Sequence, residues 1–239
     1  MSARPGGGHS PARLAAAWAV HLLTASSAPA GLLAILATIR GDIGRAFLWM
    51  AYTLAVDAVD GTLARAVKVK EVVPVVDGSR LDDVVDYFTY VVVPAFFMVH
   101  TGILGAAAVP VASMVLVASG YGFSQTAAKT PDHFFTGFPS YWNVVAFYLY
   151  VLQWPPPLAA GVVALLAILV FVPLRYAYPS RMTELRMPTV VLGLVWGAVL
   201  LWCLFDFDPA RRTIVAWSLL YPAYYVLISL YLHAKRAAT

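Results

Sequence analysis

Apolar segments of about 20 residues recur from one end of the chain to the other, separated by short polar connections. A segment of that length is long enough to cross ~30 Å of hydrocarbon as a helix. Open strands would leave backbone N–H and C=O groups without partners in lipid, so we expect an all-α fold. The pattern predicts eight helices, at residues 14–39, 43–67, 80–104, 106–127, 139–154, 158–177, 189–205 and 213–233.

The composition is typical of an integral membrane protein. The chain is 61% hydrophobic and only 12% charged, whereas soluble domains carry about 25% charged residues. So few charged side chains cannot cover a water-soluble globule. The basic residues are scattered over short loops and form no single patch, which argues against nucleic acid as a partner.

The distribution of basic residues predicts the orientation in the membrane. Residues 1–12 hold Gly, Pro and Ser and are predicted to be a flexible tail. Residues 13–30 resemble a cleavable signal peptide, but the apolar run continues to Leu36, which favours an uncleaved first helix. Eight spans place both termini on one side. Most of the 16 Lys and Arg residues lie on that side, so both termini and the 65–80 connection are predicted to be cytoplasmic.

Four aspartates stand in two spaced pairs near this connection. Asp57 and Asp60 are three residues apart in the second predicted helix, and Asp82 and Asp86 are four apart in the third. Residues at these spacings share one helix face. An antiparallel hairpin of the two helices would bring both pairs to the same depth.

Such a group of acids predicts a metal site. Carboxylates that are close together and partly out of water stay ionised only if positive charge lies between them. Oxygen ligands without His or Cys select Mg²⁺ or Mn²⁺. Four carboxylates are enough for two ions about 3.5–4 Å apart, which can clamp a phosphoryl group during in-line displacement.

The residues around the acids fit a phosphate ligand. Gly61 and Ala64 continue the stripe of Asp57 and Asp60, so a bulky group could approach the backbone there. Arg65 is placed to neutralise phosphate oxygens. The alternative is that the acids are interfacial residues paired with nearby Lys and Arg side chains, although ionisable groups within membrane spans are costly and usually functional.

Segment 57–86 resembles the signature of the CDP-alcohol phosphotransferase family, D-x2-D-G-x2-A-R-(x)n-G-x3-D-x3-D. All eight fixed positions are matched, by Asp57, Asp60, Gly61, Ala64, Arg65, Gly78, Asp82 and Asp86. The connection between Arg65 and Gly78 is longer than is common in the family. Within the family, the chain is most similar to the bacterial branch that makes phosphatidylcholine, in V-K-E-V-V-P at 69–74, D-Y-F-T-Y-V at 86–91 and K-T-P-D-H-F-F-T-G-F-P-S-Y-W-N at 129–143.

The resemblance implies an enzyme that joins CDP-diacylglycerol and choline to give phosphatidylcholine and CMP. Asp57, Asp60 and Asp82 would bind two metal ions. Asp86 would contact the second ion and take the proton from the attacking alcohol. The CDP site would be lined by Gly61, Ala64, Arg65 and Gly78.

The resemblance also implies an architecture. A six-helix catalytic core would occupy residues 13–177, with an additional helix pair and a short tail at 178–239. Members of the family are commonly homodimers, and a protein of this branch would lie in the bacterial inner membrane with its site facing the cytoplasm.

Choline would need an aromatic environment, because a quaternary ammonium is usually held by aromatic faces. Candidates near the site are Tyr87, Tyr90, Tyr121, Phe138, Tyr141 and Trp142. Trp and Tyr also gather at membrane interfaces, so this pattern is not specific for choline. His21 and Thr24 in the first helix are within reach of the nucleotide, but packing inside the helix bundle is the simpler interpretation.

Two other functions fit part of the pattern. An anionic or zwitterionic acceptor such as serine, glycerol phosphate or inositol phosphate could be held by Lys129, Arg175 or Arg181. A cation transporter could use the buried acids as an ion path. The transporter leaves Gly61 and Gly78 without a role.

Overall fold

The computed structural model describes residues 9–125, 134–178, 182, 184–205 and 211–237. Helices dominate these residues, and a π-helical turn, Tyr87–Val92, joins α4 to α5. The elements are α1 (Pro11–Ile39), α2 (Ile43–Ala66), α3 (Val69–Val72), α4 (Gly78–Asp86), α5 (Val93–His100), a 3₁₀ turn (Gly105–Ala107), α6 (Ala108–Ser124), β1 (Phe134–Thr136), α7 (Trp142–Leu152), α8 (Pro156–Leu169), β2 (Arg175–Ala177), α9 (Arg186–Phe205), α10 (Arg212–Ser218) and α11 (Leu220–Ala237). The predicted tail falls mostly on residues 1–8, outside the described residues.

Five helical stretches in the described part of the chain are long and apolar enough to cross a membrane. Helices α7 and α8 are apolar but shorter. The chain is therefore a multi-pass membrane protein. Each of the eight predicted segments contains a helix, and the five long stretches are Pro11–Ile39, Gly78–His100, Gly105–Ser124, Arg186–Phe205 and Arg212–Lys235.

The predicted end of the sixth helix is wrong. Residues 175–177, which we expected in the sixth helix, form strand β2 and pair antiparallel with β1. Helix α8 ends at Leu169, shortly before Pro173, and a proline disfavours helical geometry in the residue before it. Helix α11 covers the strand, since the Tyr225 hydroxyl donates to the carbonyl of Ala177 at 2.9 Å.

Small residues let α1 pack closely against its neighbours. Its buried face includes Ala17, Ala30, Gly31 and Ala34. A Cβ atom on Gly31 would lie 2.6 Å from the Phe88 ring, so this approach to the π-helical turn requires glycine. Such small-residue contacts are a common way for membrane helices to associate.

The long connection after Arg65 is folded. Its short helix α3 buries Val69 and Val72 against Ala17 and Val20 of α1. The carboxylate of Asp77 then accepts hydrogen bonds from the backbone N–H groups of Ser79 and Arg80. This N-cap begins α4 and holds the first turn of that helix beside α1.

The π-helical turn continues directly into α5, whose second residue is Pro94. Pro94 has no N–H to donate to the carbonyl of Tyr90, as an α-helix would require. Turns of this kind widen the helix locally and are frequent at functional sites. Here the turn begins directly after Asp86, the last residue of α4, and it carries Tyr90.

The C-terminal helices pack onto the earlier ones. Helix α9 contacts α2, and α10 contacts α7. The Tyr148 hydroxyl links them, because it accepts from Trp196 Nε1 at 2.8 Å and lies 2.7 Å from the Ser218 hydroxyl. The boundary between a core at 13–177 and an added pair at 178–239 stays a prediction.

Candidate active site

Three aspartates from two helices meet at one point. Asp57 of α2 and Asp82 and Asp86 of α4 each present a carboxylate oxygen, and these oxygens lie within 4.8 Å of one another. All three side chains are half-buried. Because the donors are all carboxylate oxygens, this acid cluster suits a hard divalent cation.

Tyr90 fixes the orientation of one member of the acid cluster. Its hydroxyl donates to Asp57 Oδ2 at 2.7 Å, and its side chain is 6% exposed. A hydrogen bond from a buried donor to a carboxylate is stronger than one between neutral groups. Asp57 is therefore held in one orientation from the π-helical turn.

Tyr141, just before α7, is also close to Asp57. The Tyr141 hydroxyl interacts electrostatically with the Asp57 carboxylate. An ordinary tyrosine hydroxyl is protonated at neutral pH. It can act as a hydrogen-bond donor beside the acid cluster.

Asp60 is placed differently from the other three acids. Within the described residues, it stands outside the group whose oxygens converge. It is 6% exposed, and its Oδ2 accepts a hydrogen bond of 2.7 Å from the Thr24 hydroxyl of α1. Its role as a metal ligand remains a prediction.

A cavity of about 490 Å³ adjoins the acid cluster. Asp82 belongs to both, and Asp60 lies in the cavity wall. The volume is in the range of ligand-binding pockets, about 300–1,000 Å³. All four predicted nucleotide-binding residues line it: Gly61, Ala64, Arg65 and Gly78.

Three basic side chains stand at this cavity, from Arg65, Lys68 and Lys70. Arg65 lies across Gly61, where a Cβ atom would be 3.4 Å from its Nη1. The Arg65 guanidinium is steadied by donating to the Thr62 hydroxyl at 3.0 Å. The other two basic side chains, those of Lys68 and Lys70, belong to the long connection after Arg65. The sequence alone did not predict that this connection lines the cavity.

The six aromatic candidates do not converge. Tyr90 donates a hydrogen bond to Asp57, and Tyr141 interacts with it electrostatically. Tyr87 turns away and donates to the Leu116 carbonyl at 3.1 Å, and the exposed Tyr121 packs on Phe171. Phe138 packs on the fully buried Trp142, 5.1 Å between ring centroids.

Two tyrosines that sequence reasoning missed connect Tyr141 with Phe138. The ring of Tyr225 in α11 lies 6.3 Å from Tyr141, and the ring of Tyr176 in β2 lies 6.5 Å from Tyr225. Tyr176 also lies 6.5 Å from Phe138. Sequence spacing could not reveal these contacts, because the residues are far apart in the chain.

The basic residues considered for an anionic acceptor lie elsewhere or outside the described residues. Arg175 belongs to β2, where its N–H donates to His233 Nδ1 at 3.4 Å. Lys129 and Arg181 fall outside the described residues. The basic residues that do line the cavity belong to the segment around the motif.

The fold and the site together define the class of protein. It is a multi-pass helical membrane protein with a carboxylate cluster beside a cavity of ligand-binding size. Comparison with known proteins finds phosphatidylcholine synthases: one from Legionella pneumophila is 39% identical over 224 residues, covering 90% of this chain and 88% of the relative. One from Bradyrhizobium diazoefficiens is 41% identical, covering 83% and 74%, and one from Pseudomonas aeruginosa is 38% identical, covering 78% and 79%. No family model matches the chain. The chain belongs to the phosphatidylcholine synthase family.

Proposed function

We propose that this chain transfers a phosphatidyl group from CDP-diacylglycerol to choline, giving phosphatidylcholine and CMP. The observation that carries the proposal is the acid cluster of Asp57, Asp82 and Asp86 beside a cavity lined by the rest of the motif. The choline oxygen attacks the phosphorus that bears diacylglycerol, and the bond from that phosphorus to the oxygen of CMP breaks. The hydroxyl proton passes to Asp86, which acts as the general base.

The acid cluster would hold the metal. Its donors are carboxylate oxygens only, which suits Mg²⁺ or Mn²⁺. We assign Asp57, Asp82 and Asp86 as the residues that would hold two ions, and Asp60 as the further acid. Asp82 also lines the cavity. Bound divalent ions supply positive charge where the diphosphate becomes more negative.

The nucleotide would lie in the cavity. Gly61, Ala64 and Gly78 give it a wall of small side chains, so the ligand can approach the helix backbones. Arg65 and the two lysines of the long connection offer cationic groups to the phosphates. The departing CMP is stabilised by the same side chains.

Choline would be bound next to Asp57. Tyr90 donates a hydrogen bond to this carboxylate, and Tyr141 interacts with it electrostatically. The Tyr225 ring lies beside Tyr141. Aromatic faces attract a quaternary ammonium, whereas an anionic acceptor would call for Arg or Lys at this position. This arrangement favours choline over serine, glycerol phosphate and inositol phosphate.

We also propose that all eight helical segments span the bacterial inner membrane, with both termini and the site on the cytoplasmic side. The short connections on that side carry most of the Lys and Arg residues. Choline and CMP are water-soluble, so the cytoplasm is where the site would meet them.

An acceptor panel tests the proposed function. The purified protein in lipid nanodiscs, with CDP-diacylglycerol and Mn²⁺, should release CMP and form phosphatidylcholine with choline, but not with serine, glycerol phosphate or inositol phosphate. A chelator should stop the release. CMP release with serine and not with choline would overturn the acceptor. Cation uptake into proteoliposomes without any CMP release would support the transporter instead.

A further inference from the structure

The hydroxyl of Ser119 in α6 is bonded to the residues on both sides of Tyr141. It accepts a hydrogen bond from the Ser140 hydroxyl at 3.1 Å and another from Trp142 Nε1 at 2.8 Å. A hydroxyl oxygen has two lone pairs, so these two bonds fill them. Ser119 lies outside the motif at 57–86, and it touches Tyr141 through its neighbours in the chain.

This Ser119 group (Ser119, Ser140 and Trp142) is in the interior of the protein. Ser119 and Trp142 are fully buried, and Ser140 is 4% exposed. Water therefore cannot take the place of the Ser119 oxygen without entering the core. Because a buried donor without a partner is costly, both donors are held to this oxygen.

The backbone within the group has a conformation that needs support. Ser140 has a φ of 56°, in the left-handed region where residues other than glycine are uncommon. Such a conformation persists when its surroundings hold it. Here the two bonds to Ser119, and a bond of 2.8 Å from the Trp142 N–H to the Ser140 carbonyl, hold it. Because α7 begins at Trp142, this turn sets the direction in which the Tyr141 side chain leaves the chain.

The Tyr141 side chain connects two distant helices. Its hydroxyl interacts electrostatically with Asp57 of α2. Its ring lies 6.3 Å from that of Tyr225 in α11, whose hydroxyl is anchored on the Ala177 carbonyl at 2.9 Å. A change in the turn that carries Tyr141 would therefore move the ring relative to the acid cluster.

We infer that Ser119 is a positioning residue for the acceptor: it holds the turn at 140–142 so that the Tyr141 ring stands where choline is bound. The inference rests on the proposed function and adds a residue from α6 that contacts neither substrate nor metal. Because Ser119 acts through Tyr141, its loss should change the recognition of choline and not that of CDP-diacylglycerol.

The test is the steady-state release of CMP by the full-length chain in nanodiscs with Mn²⁺. Ser119→Ala removes the acceptor of both bonds and keeps a small side chain. It should raise the KM for choline about fivefold or more and leave the KM for CDP-diacylglycerol unchanged. Ser140→Gly is a second variant, because glycine adopts the left-handed conformation readily while one of the two bonds is lost. It should raise the KM for choline by a smaller factor.

A double-mutant cycle separates positioning from a general structural role. If Ser119 acts through Tyr141, then Ser119→Ala combined with Tyr141→Leu should have the choline KM of Tyr141→Leu alone. Two independent effects would multiply instead.

Thr38→Ala is the control for lost stability. Thr38 is 1% exposed and its hydroxyl donates to the Ala34 carbonyl at 2.8 Å. It lies 14 residues beyond Thr24 at the cavity wall, which is ~21 Å along α1. Thr38→Ala should lower the melting temperature and leave the KM for choline unchanged.

Three results would overturn the inference. They are an unchanged KM for choline in Ser119→Ala, an equal rise in the KM values of both substrates, and effects that multiply in the cycle. If Ser119→Ala does not fold, Ser140→Gly decides, and an unchanged KM for choline in that variant overturns the inference. Failure of the proposed function is seen earlier and separately, as a wild-type chain that makes no phosphatidylcholine from choline.

Discussion

The hydrogen bond from Tyr90 to Asp57 offers a direct test of how the acid cluster is held. In Tyr90→Phe the ring stays and only the hydroxyl is lost, so packing in the π-helical turn is kept. Asp57 then loses a bond of 2.7 Å. The three acids repel one another, and an Asp57 side chain without this bond can rotate away from the other two.

The size of the effect follows from the kind of bond. A hydrogen bond to a charged group contributes about 1.5–3 kcal/mol, and each 1.4 kcal/mol is a factor of about ten. The Mn²⁺ concentration for half-maximal CMP release should therefore rise about 10- to 100-fold. Losses of that order are typical when a residue that orients a metal ligand is removed.

A matched control stands three residues away on the same stretch. Tyr87 donates to the Leu116 carbonyl and not to the acid cluster, so Tyr87→Phe should leave the Mn²⁺ dependence unchanged. Both variants are assayed by CMP release from CDP-diacylglycerol and choline while Mn²⁺ is titrated. An unchanged Mn²⁺ requirement in Tyr90→Phe, or an equal shift in both variants, would refute this account of Asp57.

Three further predictions concern the base, the cavity and the acceptor. Asp86→Asn should keep the melting temperature and lower kcat at least about 100-fold, because the proton acceptor is lost; near-normal turnover would refute the assignment. Gly61→Val should crowd the Arg65 guanidinium, which lies 3.4 Å from the position of a Cβ atom, and weaken CMP binding about tenfold as overpacking does; unchanged binding of CMP in a thermal-shift titration would contradict this. Tyr141→Leu should raise the KM for choline about 2- to 30-fold, the range of a lost cation–π contact, with the KM for CDP-diacylglycerol unchanged. Tyr121→Leu, which alters an exposed ring on Phe171, is its control, and equal effects of the two would rule out a choline contact at Tyr141.

The helices and the acidic pairs could be predicted from the sequence for local reasons. A run of apolar residues long enough to span lipid can satisfy its backbone only as a helix, and each predicted segment does contain one. Spacings of three and four residues put side chains on one helix face, so Asp82 and Asp86 had to face the same way. The recurrence of the motif residues around one cavity follows from these local rules together with the family resemblance.

Contacts between elements distant in the chain were decided by the tertiary structure alone. Asp60 was grouped with the other acids by spacing, yet its carboxylate bonds Thr24 of α1. Of the aromatic candidates, Tyr90 donates a hydrogen bond to Asp57, whereas Tyr87 donates to the Leu116 carbonyl. Which side chains meet depends on how whole helices pack, and on the π-helical turn that changes the direction of successive side chains. The sequence pattern therefore determines where the helices lie and which residues share a helix face. The packing of the helices determines which side chains from different helices contact one another.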